Sequence, residues 1–187
     1  MNNEPRPDNF VLQRRLAEAF AAAGHQLYLV GGSVRDQILG RLTHDLDFTT
    51  DALPDATRAV LAGIDPTSIY TVGEKFGTIG AIFGDTNVEI TTFRGEQYEP
   101  GSRKPTVHYG TTLEDDLSRR DFTMNALAED AASGELFDPF GGQSDLRAGL
   151  IRAVGDPRQR FTEDPLRLLR AVRFVAELGF TIERETE

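Results

Sequence analysis

Two aspartates, Asp45 and Asp47, flank Leu46 at the start of a run, Leu46 to Thr50, that reads as a short strand. Alternation along a strand puts both carboxylates on one face, about 7 Å apart. Such a pair suits Mg²⁺, a hard cation that prefers octahedral oxygen ligands and takes few from protein when substrate phosphates are present. Two ions held this way can activate an attacking hydroxyl and stabilise the leaving oxygen of a phosphoryl displacement. Alone, an Asp-x-Asp pair is more often a solvated strand edge.

Upstream, Gly31-Gly32-Ser33 follows an apolar run and opens a short helical segment carrying Arg35. Paired glycines let backbone N–H groups approach an anion, a helix N-terminus favours negative charge, and Arg35 adds a planar cationic donor. The segment reads as a triphosphate cradle, or as a plain strand-to-helix turn. Neither Gly-x-Gly-x-x-Gly nor Gly-Lys-Ser/Thr occurs, so a dinucleotide fold and a P-loop are not indicated.

The elements that must position these groups follow from periodicity. Asp8 or Asn9 can cap a helix carrying Phe10, Leu12, Leu16 and Phe20, stopped by Gly24. Gln26 to Val30 reads as a strand, Val34 to Leu39 as a helix, and Pro54 opens another towards Ala62. Ile79 to Phe83 and Val88 to Thr92 read as a hairpin turning at Gly84 to Asn87. Arg94 to Tyr109 is polar and rich in Gly and Pro, a mobile loop. Leu117 to Ala128 reads as helix, Leu136-Phe137 and Ile151 to Val154 as short strands around a small helix near Ser144. A last helix spans about Glu163 to Leu178, with Leu168, Leu169, Val172 and Val175 available for its packed side. The fold class is α+β, a small mixed or antiparallel sheet flanked by helices.

With 187 residues and 39% hydrophobic residues, the chain suits one well-buried domain plus a short appendage. It has no cysteine, which excludes disulfides and thiolate metal sites. Met1 to Phe10 is polar and no run spans a membrane, so a cytoplasmic protein is expected. The net charge of −10 is awkward for RNA affinity, unless the acidity belongs to a metal site or the RNA-binding surface lies elsewhere.

Taken together, Leu29-Val30-Gly31-Gly32-Ser33-Val34-Arg35-Asp36, Leu39-Gly40 and Asp45-Leu46-Asp47-Phe48 resemble the first signature of the class II tRNA nucleotidyltransferases. These are the CCA-adding enzymes and bacterial poly(A) polymerases of the polymerase β superfamily. The resemblance implies Asp45 and Asp47 as catalytic metal ligands, with Gly31, Gly32, Ser33 and Arg35 at the triphosphate. It also implies Glu89, between Val88 and Ile90, as a third carboxylate; a structural Glu is the open alternative.

Arg119-Arg120-Asp121-Phe122-Thr123-Met124-Asn125-Ala126-Leu127 resembles the second signature, which implies Arg120, Asp121 and Asn125 at the nucleotide sugar. Arg can donate to a 2′-OH or phosphate and Asp can accept from a 2′-OH, although Arg-Arg-Asp is also a plausible helix cap. Asp138-Pro139-Phe140-Gly141-Gly142 with Asp145-Leu146 resembles the third, a supporting turn.

The segment Glu163 to Phe174 resembles the fourth signature, implying that Asp164 and Arg167 read the incoming base while Arg170 and Arg173 hold that pair or bind phosphate. An Asp accepts from the exocyclic amine of C or A, whereas uracil presents an acceptor there. Spacing alone fits an amphipathic helix with internal ion pairs equally well. Residues 94–109 resemble the loop that lets relatives change from adding C to adding A.

The resemblance implies a polymerase β-like nucleotidyltransferase head that uses Mg²⁺, CTP and ATP on a tRNA 3′ end. Expected divisions are an N-terminal helix 1–24, a head 25–140 and the start of a helical neck 141–187. Relatives are about twice this length, so their RNA-gripping body and tail are expected to be absent here. Oligomeric state has no signal.

Overall fold

The computed structural model describes residues 7–41, 45–97, 106–110 and 112–187. Helix α1 (Pro7–Ala22) leads into β1 (Leu27–Val30), α2 (Gly32–Ile38), β2 (Asp45–Thr50) and α3 (Pro54–Ala62). Then come β3 (Ser68–Tyr70), β4 (Thr78–Phe83) and β5 (Thr86–Thr92). These strands join β8 (Ala128–Asp130) and β9 (Leu136–Phe137) in a seven-stranded sheet of order β3-β4-β5-β2-β1-β8-β9. Among the described residues of this sheet only β2 and β5 pair in parallel; the other neighbours are antiparallel.

Alternation sorts the strands into two faces. Leu27, Leu29, Leu46, Phe48, Val88 and Ile90 enter the large core that also holds Leu16, Phe20 and Leu61 of α1 and α3. Each fully buried Phe or Leu there contributes about 1.5–3 kcal/mol relative to exposure. Tyr28 and Val30 take the opposite face and meet Phe93, Leu117 and Val154 in a second, smaller cluster. Asp45 and Asp47 alternate with the core residues Leu46 and Phe48, so the acidic pair also takes that opposite face.

Several local expectations give way to tertiary structure. Helix α1 begins at Pro7, ahead of the expected caps, because proline is favoured in a first helical turn. Leu117 to Ala128 is not one helix. Helix α4 (Leu113–Ser118) carries a Thr112 capping box and stops at Ser118. Phe122 then bridges Ala153, a 3₁₀ turn spans Thr123–Asn125, and β8 pairs with β1. Leu117, Met124 and Leu127 recur at helix-like steps of seven and three, yet sheet pairing and burial decide the backbone after Ser118. In the region read as a loop, β6 (Arg94–Gln97) and β7 (Thr106–Tyr109) form an antiparallel ladder, with 98–105 outside the described residues.

Past the small helix α5 (Gly142–Ala148), β10 (Leu150–Ile151) pairs in parallel with the terminal β11 (Thr181–Ile182). The last helix, α7 (Leu166–Leu178), starts three residues later than expected, and a separate helix, α6 (Pro157–Glu163), precedes it. Asp164 sits between them at φ −142°, ψ 100°, because a residue before proline is steered out of the helical region. The expected packed side of α7 is instead exposed, Leu169 and Val172 being 66% and 63% accessible. Arg167, Ala171 and Phe174 face inward. Among the described residues no helix is long and apolar enough to cross a membrane.

Candidate active site

The turn between β1 and α2 is set by Gly31, whose φ of 66° and ψ of −128° suit a residue without Cβ. A Cβ there would also lie 2.8 Å from Arg120 Nη1. Ser33 clamps this turn to the acidic strand: its hydroxyl donates to the Asp45 carbonyl (3.2 Å) and accepts from the Asp47 amide (3.0 Å). Ser33 is 3% exposed and its hydroxyl is spent on this clamp, so the side chain positions the site.

A cleft of about 520 Å³ opens beside the turn. Its walls bring together Gly31, Gly32, Arg35 and Asp47 from the first segment with Arg120, Asp121 and Asn125 from the second. Asp164, Arg167 and Arg170 complete it from the α6–α7 region, together with Phe174. Asp45 is exposed at the start of β2, and Glu89 stands opposite Asp47 in the β2–β5 register; neither lines the cleft itself.

Burial pushes the Asp47 carboxyl above its ordinary range and the charge of Glu89 adds to this. Arg120 opposes the rise, and Asp45 reinforces it. A raised carboxyl amid other carboxylates is the electrostatic condition that a bound cation relieves. The donor set is hard oxygen, as Mg²⁺ requires. Among the described residues no three acidic or imidazole groups converge on one point, so protein ligands alone do not complete a coordination shell.

Side-chain contacts lock the cleft walls. Arg35 donates bidentately to Asp36 (2.9 Å each) and to Asn125 Oδ1 (2.8 Å). Asn125 donates to Asp121 (3.0 Å), and Asp121 accepts from Arg170 Nε at 2.6 Å. Arg170 thus bonds the second segment, and Arg173 bonds Glu177 on its own helix. Arg167, 5% exposed, donates to Glu163 and to the carbonyls of Arg160 and Arg119. Asp164 lies off the helix, its carboxylate accepting from the Leu166 amide, so the expected i, i+3 spacing with Arg167 on one helix does not apply. Both still reach the same cleft.

Beneath the second segment, Asp138 caps α5 through the amides of Gly142 (2.6 Å) and Gln143 (3.0 Å), while Asp145 accepts from Thr123 (2.6 Å). The third segment is thus a supporting turn, as expected.

Two residues escaped the sequence reading. Asp116 is completely buried and accepts from Arg119 (3.0 and 2.7 Å) and Arg120 (3.1 Å). Its three- and four-residue spacing from those arginines, which directly follow α4, was the available signal. Tyr70, on the short β3, reaches Glu89 and Asn87 through its hydroxyl, and no local pattern reveals such a contact.

An acidic pair on the parallel strand of a mixed sheet, set beside a glycine turn, defines a nucleotidyltransferase head of the polymerase β type. Residues 27–152 match the family model described as the Poly A polymerase head domain, and the chain belongs to that family. It is 45% identical to the CCA-adding enzyme of Lactobacillus helveticus over 182 residues, 97% of this chain and 44% of that protein. It also resembles the Bacillus stearothermophilus CCA-adding enzyme in complex with CTP, with a TM-score of 0.82, 41% identity, and coverage of 98% of this chain and 42% of that one. The Thermotoga maritima CCA-adding enzyme complexed with tRNA superposes with a TM-score of 0.81 at 31% identity, covering 96% of this chain and 40% of that one. The chain therefore spans less than half the length of these relatives.

Proposed function

We propose that this chain is the catalytic head of a template-independent RNA nucleotidyltransferase. It transfers CMP and AMP from CTP and ATP to the 3′ end of tRNA, releasing pyrophosphate. The observation that carries this reading is the meeting of Asp47, the glycine turn and six arginines in one cleft. The relatives named for CCA addition, one bound to CTP and another to tRNA, support the substrates.

In this reading the mechanism is a two-metal one: Asp45 and Asp47 would hold two Mg²⁺ ions together with substrate phosphate oxygens. The chemistry Mg²⁺ supplies when bound is activation of the attacking 3′-hydroxyl and charge neutralisation at the leaving pyrophosphate. Glu89 adds negative charge behind Asp47. Gly31 and Gly32 let the triphosphate approach the backbone and Arg35 binds its oxygens, while Arg120 sits at the sugar. Asp121, steadied by Asn125 and Arg170, accepts from the ribose 2′-OH. Asp164 and Arg167 read the base, Arg167 exchanging part of its present hydrogen bonding for ring acceptors. Positioning and charge compensation carry most of the acceleration, as phosphoryl transfer requires. We assign residues 1–24 to an N-terminal helix, 25–140 to the head and 141–187 to the start of a neck.

The test is extension of a tRNA ending before CCA, with CTP and ATP supplied singly and together. Addition of two residues with CTP and a third only when ATP follows supports CCA addition. Extension with ATP alone points to an A-adding or poly(A) activity. Saturable nucleotide binding without extension reduces the chain to a binding module. Asp47→Ala abolishes extension while leaving CTP binding largely intact; Mg²⁺-dependent extension by that variant removes the metal assignment.

A further inference from the structure

The strand registers place four residues from four adjacent strands in one row. Tyr70 of β3 pairs with Gly80 of β4, Gly80 with Glu89 of β5, and Glu89 with Asp47 of β2. Opposed residues on neighbouring strands point to the same face, so this row runs from an edge-side tyrosine straight to the acidic strand.

Strands are spaced about 4.8 Å apart, so a tyrosine on β3 reaches β5 only by lying across β4. Gly80 makes that crossing possible. A Cβ at Gly80 would overlap Tyr70 Cζ, and the phenol occupies the space that any other residue would fill. At the far end the Tyr70 hydroxyl stands 2.7 Å from Asn87 Oδ1 and 3.2 Å from Glu89 Oε1. Asn87 and Glu89 are the β5 residues directly opposite Asp45 and Asp47. One hydroxyl thus touches the partner positions of both aspartates.

A hydroxyl has a single proton and two lone pairs. With the Asn87 amide turned so that Nδ2 donates to the phenol oxygen, the hydroxyl donates to Glu89 and both contacts persist. Glu is a long side chain on a half-exposed face, with rotamers that lead away from the cleft. A charge-assisted hydrogen bond from a ring wedged over glycine selects the rotamer that keeps its charge near Asp47.

We infer that Tyr70 is a positioning residue for the acidic cluster, its hydroxyl carried across Gly80 to hold the Glu89 carboxylate beside Asp47. The inference rests on the proposed reading, in which Asp45 and Asp47 take a divalent cation. It adds a device from outside the four signature segments, built from an edge strand and a glycine.

The test is Mn²⁺ uptake by the intact, nucleotide-free chain, followed by the loss of the free-Mn²⁺ electron paramagnetic resonance signal. Wild type is compared with Tyr70→Phe, Glu89→Gln, the double variant, Gly80→Ala and Asp47→Asn, with thermal midpoints recorded for each. Removing a group that orients a ligand costs about ten- to a hundredfold in metal affinity, so Tyr70→Phe is expected to weaken Mn²⁺ binding about tenfold with its melting point nearly unchanged. Glu89→Gln does the same, and the double variant is no weaker than the worse single one, because both remove one arrangement. Gly80→Ala reproduces the loss with the tyrosine still present.

Wild-type affinity in Tyr70→Phe, or losses that multiply in the double variant, overturns the inference. So does a lower melting point with Mn²⁺ affinity unchanged, which marks a purely structural tyrosine. If Asp47→Asn loses Mn²⁺ while Tyr70→Phe and Glu89→Gln keep it, the positioning role fails and the metal assignment stands. If Asp47→Asn and wild type behave alike, including no uptake by either, the metal assignment fails and the inference falls with it.

Discussion

Replacing Asp116 by alanine tests how the arginines of the cleft are held. The carboxylate has no solvent exposure, and it accepts from Arg119 Nε and Nη2 at 3.0 and 2.7 Å and from Arg120 Nη2 at 3.1 Å. Weaker contacts of 3.4 Å come from Thr49 Oγ1 on the acidic strand and the Arg94 amide at the base of the β6–β7 ladder. Removing one member of a buried ion pair leaves the other charge uncompensated and costs about 3–5 kcal/mol. Here two guanidiniums lose a shared acceptor while only 15% and 19% exposed, so solvent gives little relief.

For a chain of this size about 2–4 °C accompanies each kcal/mol, so Asp116→Ala lowers the melting point by roughly 6–20 °C. Asp116→Asn, which keeps the shape and loses the charge, falls between. Urea unfolding at pH 7 measures the loss, with Glu18→Ala in the exposed Arg14–Glu18 pair as reference at no more than about 0.5 kcal/mol. A pH series supplies the sign. Burial pushes the Asp116 carboxyl up, but Arg120 and Arg119 outweigh it and hold it below the usual range. A depressed carboxyl stabilises the fold above its unfolded value of about 3.9, and that stabilisation is lost as pH falls through the folded value. The gap between wild type and variant is therefore flat from about pH 5 to 8 and closes below about pH 4. A loss at pH 7 no larger than that of Glu18→Ala, or a gap that widens in acid, refutes the reasoning.

Three further substitutions probe the walls of the cleft. Gly31→Ala places a side chain at φ 66°, ψ −128° and against Arg120, costing about 1–3 kcal/mol in urea unfolding and weakening CTP binding measured by titration calorimetry. Gly142→Ala drives a Cβ into the backbone carbonyl of Thr123, which has no rotamer to yield, and costs about 1–3 kcal/mol on the same scale. Arg167→Leu relaxes base choice more than it slows transfer, which competition of CTP with UTP in the extension assay reads; unchanged selectivity against UTP discards the base-reading role.

The parts of the site that were legible are those set by neighbours in sequence. The glycine turn, Arg35 and the Asp45–Asp47 alternation lie within 17 residues, and each follows from local backbone preference or strand period. The β4–β5 hairpin was equally plain, because alternating apolar residues flank a turn. What stayed hidden depends on partners far along the chain. Leu117, Met124 and Leu127 suggest one helix through Ala128, but pairing of Phe122 with Ala153 and of β8 with β1 overrides it. The three residues of β3 give too short a pattern to register, although Tyr70 reaches the acidic cluster. Pro165 did carry a warning: the restriction it places on Asp164 was readable and argues against a continuous helix. The apolar stripe on α7 suggested the packed side, whereas Phe174, between three arginines, faces inward.

Charge compensation explains how a chain of net charge −10 can present the proposed triphosphate site. Arg35, Arg120, Arg167 and Arg170 each arrive at the cleft paired with one protein carboxylate: Asp36, Asp116, Glu163 and Asp121. Those pairings consume much of the attraction that bare arginines would offer, so affinity cannot scale with their number. Their value lies in orientation. A guanidinium has five N–H donors in a rigid fork, and a carboxylate gripping one edge fixes the direction of the rest. Arg35, held bidentately by Asp36 and stacked over Phe174 at 5.1 Å, has little rotational freedom left to lose when a ligand arrives. For the proposed phosphoryl transfer, that prior ordering is worth more than an extra positive charge that must be immobilised at each turnover. The acidic balance of the chain is then the counterweight that holds its arginines in register, and it sits alongside phosphate chemistry without conflict.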